Sequence, residues 1–131
     1  MTIRYLWAKG VTSAGPFAPT SGYKWKLLYG YVGVTVTSTL TTADSINVMR
    51  KLNLMPTGNT TEYYVSIKSG LSPGTYFGDM GTSPDSNSTS GYHIQINQFP
   101  VISDQESLIF TVSIASGDTF SYWIVVEETK A

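Results

Sequence analysis

The stretch that most constrains this chain lies in its last third. Between Glu106 and Glu128, Leu108, Phe110, Val112 and Ile114 alternate with Ile109, Thr111 and Ser113, and Phe120, Tyr122, Ile124 and Val126 alternate with Ser121, Trp123 and Val125. A period of two sustained over that length marks two half-buried strands, because successive side chains of a strand point to opposite sides. The connecting Ala115-Ser116-Gly117-Asp118 carries residue types that admit positive φ. It predicts a tight turn with Gly117 in that region, joining the strands as an antiparallel hairpin. Trp123 has the parity of Ser121 and Val125, so it falls on the face opposite the core.

The same ladder recurs upstream. Ile3–Ala8 reads as a short strand, followed by a Gly/Pro-rich loop, Gly10–Gly22, in which Ala14-Gly15-Pro16-Phe17-Ala18-Pro19 favours an extended path. Tyr23–Ser38 is a long strand with Tyr23, Trp25, Leu27, Tyr29 and Tyr31 on one face. Gly30 and Gly33 interrupt it and mark a bulge, a bend or a close backbone approach. Ile46–Met55 and Thr61–Lys68 continue the pattern, with a short segment around Thr75-Tyr76-Phe77. Gly81–Gly91 is a polar surface loop, and Tyr92–Phe99 is a further strand ending at Pro100. No helical periodicity of useful length occurs.

These readings give an all-β chain: a single-domain antiparallel β-sandwich, jelly-roll-like, of about eight strands, with an immunoglobulin-like arrangement as the alternative. Residues 1–22 form an N-terminal strand and a Gly/Pro-rich arm, and residues 23–131 form the sandwich domain. The 131 residues fit one domain, whose core must supply the stability because there is no cysteine.

Charge narrows the partners. Only 13% of residues are charged, against about 25% in ordinary soluble domains, so the surface is polar, weakly charged and suited to packing against neighbours. With eight basic and nine acidic residues the net charge is −1, and Lys24 with Lys26 is the best basic patch on offer. That is too little to hold nucleic acid phosphates. No apolar run approaches the ~20 residues of a membrane span, and Met1–Ala8 is too short and interrupted for a signal-peptide core. Synthesis and folding in the cytoplasm are expected.

Chemistry is sparse. His93 is the single histidine, which excludes multi-histidine metal sites, and neither a nucleophile elbow nor a phosphate-cradling or dinucleotide motif occurs. Glu127 and Glu128 are adjacent on a strand and point to opposite faces, so they cannot act as a pair. Glu62, Asp79, Asp104 and Glu106 lie near loops, and no pattern unites them. Asp79, Asp85, Asp104, Glu106 and Asp118 match no calcium-loop spacing and read as solvated turn residues. We assign no catalytic, cofactor-binding or metal-binding residue and expect no enzymatic activity. The aromatic residues are more informative, because exposed Trp and Tyr rings anchor protein interfaces or stack on sugars. Trp7, Phe17 and Trp123 are the interface candidates.

The order Tyr23-Lys24-Trp25-Lys26-Leu27-Leu28, a polar strand segment to Arg50, Phe99-Pro100-Val101-Ile102, Ser116-Gly117-Asp118 and the terminal Ile124-Val125-Val126-Glu127-Glu128 resembles small jelly-roll virion proteins of tailed bacteriophages. The likeness is one of pattern and covers roughly Tyr23–Glu128. It implies a capsid decoration protein or other virion surface component, made in the host cytoplasm. Such proteins are commonly trimeric and pack on themselves and on the major capsid or another virion protein, with an N-terminal arm reaching onto a neighbour. A second reading is a carbohydrate-binding β-sandwich or a phage receptor-binding tip. It requires two or three co-planar rings with Asn, Asp or Gln beside them.

Overall fold

A computed structural model describes residues 2–52, 60–79 and 101–131. Its strands are β1 (Thr2–Val11), β2 (Tyr23–Val36), β3 (Ser45–Leu52), β4 (Thr60–Lys68), β5 (Gly74–Asp79), β6 (Val101–Ile102), β7 (Glu106–Ser113) and β8 (Thr119–Lys130). They form two antiparallel sheets, one in the order β1-β8-β2-β5 with β6 also on β2, the other β4-β3-β7. This is the expected antiparallel β-sandwich. The strand expected over Tyr92–Phe99 and the loop Gly81–Gly91 lie outside the described residues. Among the described residues there is no helix, so none is long and apolar enough to cross a membrane.

The core is where the inner faces meet. Leu27, Val32, Phe120, Ile124 and Val126 of the larger sheet close on Ile46, Val48, Val65, Ile67 and Leu108 of the smaller one, all essentially fully buried. Every second residue of β8 from Phe120 to Val126 points inward, as its alternation requires.

Two expectations need correction. The Glu106–Glu128 segment is not a hairpin: β7 pairs with β3 and β8 pairs with β1 and β2, so the chain crosses from one sheet to the other. Alternation reports that each strand has one buried face, and that holds equally for strands paired side by side and for strands facing each other across a core. Here they face each other, with Phe110 and Tyr122 rings 4.8 Å apart. The turn itself is as expected, with Gly117 at φ 92° and the Asp118 N–H donating to the Ala115 carbonyl at 3.1 Å. What directs it across is Asp118, whose carboxylate accepts from the Thr37 N–H and Oγ1 at 3.0 Å each, just past the end of β2.

The second correction concerns β2. Leu27 pairs with Val126 but Tyr29 pairs with Val125, so Leu28 is an extra residue, a β-bulge. A slip of one residue exchanges the faces of everything beyond it. Trp25 and Leu27 therefore point into the core, Tyr29 and Tyr31 point out, and Val32, Val34 and Val36 continue the buried face.

Residues 1–22 lie on their own sandwich. β1 pairs with β8 from Thr2↔Glu128 to Val11↔Phe120. Beyond it, the Phe17 N–H donates to the Leu108 carbonyl at 2.9 Å, and the Leu108 N–H donates back to Phe17 at 2.7 Å. The Gly22 N–H is held by Asp104 Oδ2 at 2.7 Å. The arm is thus tied to its own chain at Phe17, Thr20 and Gly22.

Candidate aromatic binding face

The outer face of the five-stranded sheet follows from register. Trp7 on β1 is level with Trp123 on β8, which is level with Tyr31 on β2. One row along, Tyr5, Val125 and Tyr29 are level. One row the other way, Ser121, Gly33 and Phe77 are level across β8, β2 and β5. Side chains of one parity share a face, so these rings form one patch about 15 Å across at ~4.8 Å per strand.

The rings touch in two groups. Tyr5 and Trp7 flank Trp123 at centroid distances of 5.5 and 6.1 Å, tilted by 49° and 34°. Tyr31 and Phe77 stand 6.2 Å apart at 30°. Exposure is high: 57% for Tyr5, 60% for Trp7, 61% for Phe77, 41% for Trp123 and 37% for Tyr29. Gly33 makes room for this arrangement. A Cβ there would lie 2.7 Å from Tyr31 Oη, so the tyrosine folds flat over bare backbone beside Phe77.

The surroundings of the patch are graded. Toward one end the register continues with Ile3, Glu127 and Lys26, and toward the other with Thr119 and Thr35. Among the described rows no Asn or Gln occupies an outward position, and one Asp, Asp79 on β5, is level with Tyr31.

Of the three interface candidates, Trp7 and Trp123 sit side by side in this patch. Phe17 does not. It packs on the other side of β8, against Tyr122 at 5.9 Å and Phe110 at 6.2 Å, as part of the chain's own core. Trp25 and Tyr122 are also internal, and burial pushes the Tyr122 phenol up from its ordinary range. Sequence reasoning missed Tyr5 and Phe77. Tyr5 shared the two-residue spacing with Trp7, but Phe77 gave no comparable signal, because its strand is short and its partner at Gly33 lies more than forty residues away in sequence.

Three carboxylates, Glu128, Asp104 and Glu106, serve the fold. Glu128 accepts from the Trp25 Nε1–H at 2.9 Å, from Thr20 and from Arg4, and the Trp25 bond first of all holds its carboxyl below the usual range. Asp104 is held low chiefly by the Gly22 N–H. Glu106 pairs with Arg50 at 3.2 Å and accepts from the Ser103 N–H. Among the described residues no three His, Cys, Asp or Glu side chains gather as a metal site. His93 and Asp85 lie outside the described residues. No protein-family model, curated protein or solved structure matches this chain.

Proposed function

We propose that the protein is a structural β-sandwich that acts by protein–protein packing through this aromatic face, as a homo-oligomer, trimeric as the phage pattern implies. In that pattern it is a capsid decoration protein or other virion surface component, with the major capsid or another virion protein as its further partner. The observation that carries the packing reading is the patch itself. Five rings at these exposures, each presenting on the order of 200 Å² when free, leave roughly 500 Å² of contiguous aromatic surface. This is near the upper end of the largest patch on a typical monomer, about 300–600 Å². With its polar margin it approaches the ~800 Å² per partner of a standard interface.

Sugar binding fits the same rings less well. The rings around Trp123 are tilted by 34° and 49° rather than co-planar. The neighbours level with them are Val125, Gly33 and Ser121, with Asp79 at the β5 end of the Trp7–Trp123–Tyr31 row, and the Ser121 hydroxyl already accepts from the Gly10 N–H at 3.1 Å.

Light scattering with small-angle scattering at micromolar concentration tests the proposal. The wild type should form an oligomer, and a Trp7→Thr/Trp123→Thr variant should be a compact monomer with a radius of gyration near ~14 Å. A monomeric wild type that binds glycans on an array, with binding lost in the double variant, assigns the face to sugars instead.

A further inference from the structure

At the arch end of the sandwich two carboxyl groups are buried. Asp44 and Asp118 are each 1% exposed. Two of their four carboxyl oxygens have donors and two do not. Asp44 Oδ1 accepts from the Ala115 N–H at 2.8 Å, and Asp118 Oδ1 accepts twice from Thr37. Asp44 Oδ2 and Asp118 Oδ2 are both buried without any donor, and the two residues are tied to the same Ala115, whose N–H donates to Asp44 and whose carbonyl accepts from the Asp118 N–H. Two carboxylates cannot donate, and facing like charges out of water would be costly.

We propose that Asp44 and Asp118 hold one proton between them, as an acid–carboxylate pair that fastens the β7–β8 arch to the β2–β3 connection and loosens when that proton leaves. The proton on Asp44 Oδ2 donates to Asp118 Oδ2, which satisfies both orphaned oxygens with one bond. Four chain segments meet there. Thr37 follows β2, Asp44 precedes β3, Ala115 and Asp118 belong to the arch, and Ser69, after β4, bonds the Asp44 backbone at both its N–H and its carbonyl.

The charged group that acts on each carboxyl is the other one. Thr37, Ser69 and Ala115 do not titrate, and Lys68, next to Ser69, has an exposed side chain. Burial first, then the bond to Asp118, pushes the Asp44 carboxyl up to about 6. The bond from Asp44 first, then the Thr37 N–H, holds Asp118 below its ordinary value. Asp44 thus contributes stability that is fully present below its unfolded value of about 3.9 and is lost as pH rises through about 6. Asp118 contributes stability that is present above that unfolded value and is lost as pH falls through its lowered folded one. The pair is tightest in mildly acid solution.

The test is thermal unfolding between pH 4.5 and 8 of the wild type and Asp44→Asn. An amide at position 44 keeps the acceptor for Ala115 and supplies a permanent N–H to Asp118, so it imitates the protonated acid. The variant's advantage over the wild type should widen by roughly 5 °C between pH 5 and pH 8, as the wild type loses its proton. Every other titratable side chain is present in both proteins and cancels in the difference. Carboxyl carbon-13 shifts should show a step near pH 6 that is absent from the variant. A variant less stable at both pH values, or a wild type with no carboxyl titrating above pH 5, overturns the proposal. Calcium or magnesium chloride stabilising the wild type at pH 8 but not the variant would also overturn it, by making the pair a cation site.

Discussion

The bulge at Leu28 decides which rings reach the outer face, and it can be tested with two neighbouring positions. Uninterrupted alternation puts Leu27 and Tyr29 on one face, so equal truncations there should cost alike. In the structure Leu27 is 1% exposed opposite Val126, whereas Tyr29 is 37% exposed opposite Val125. Leu27→Ala removes fully buried methyl groups and leaves a cavity between the sheets, at ~3–5 kcal/mol. Tyr29→Ala strips partly covered surface on an open face, where water fills the space, at about 1–2 kcal/mol. For a chain of this length each kcal/mol moves the midpoint by roughly 3–5 °C, so Leu27→Ala should melt at least ~10 °C lower and Tyr29→Ala only a few degrees. Lysine sharpens the contrast. Leu27→Lys would bury an unpaired charge and should not fold, while Tyr29→Lys should fold, as circular dichroism and urea titration would read. Equal losses at the two positions, or a folded Leu27→Lys, would refute the bulge and with it the outward placement of Tyr29 and Tyr31.

Two further outcomes follow from the turn and the Glu128 network. Gly117→Val places a β-branched residue at φ 92° and should cost ~1 kcal/mol or more in urea unfolding, whereas Ser116→Ala on the exposed corner should be nearly silent. Glu128→Gln should lower the melting midpoint at neutral pH. Because the Glu128 carboxyl is held low in the folded state, its contribution is present above the unfolded value and lost as pH falls through the folded one, so the two proteins should converge in acid.

The strands of this fold were legible because burial on one face writes a two-residue period into the chain, as in Leu108–Ile114 and Phe120–Val126. The same period is silent about partners. It could not tell that Leu108 faces β8 across a core and hydrogen-bonds Phe17, because both relations depend on residues distant in sequence. Gly30 and Gly33 did announce an irregularity in β2, but the bulge fell at Leu28, where the residue type gives no sign. The outward place of Trp123 was legible from parity alone. Its company was not, since assembling Tyr5, Trp7, Tyr31 and Phe77 around it takes the register of four strands. Asp44 and Asp118, separated by most of the sandwich in sequence, left no joint signature.

The aromatic face is more than the fold itself requires. Along the same outward rows of the same sheet, Thr35, Thr119 and Ser121 serve as strand residues with polar side chains, so nothing in sheet geometry calls for rings at 5, 7, 29, 77 and 123. Tyr31 is the exception, because its ring covers the backbone of Gly33 and compensates for the missing side chain there. The remaining rings gain only partial cover from one another, and they present an apolar surface that a chain with 13% charged residues does little to keep soluble. A feature that the core does not need and that solubility disfavours is what the packing proposed above would cover, with the row Trp7–Trp123–Tyr31 at its centre.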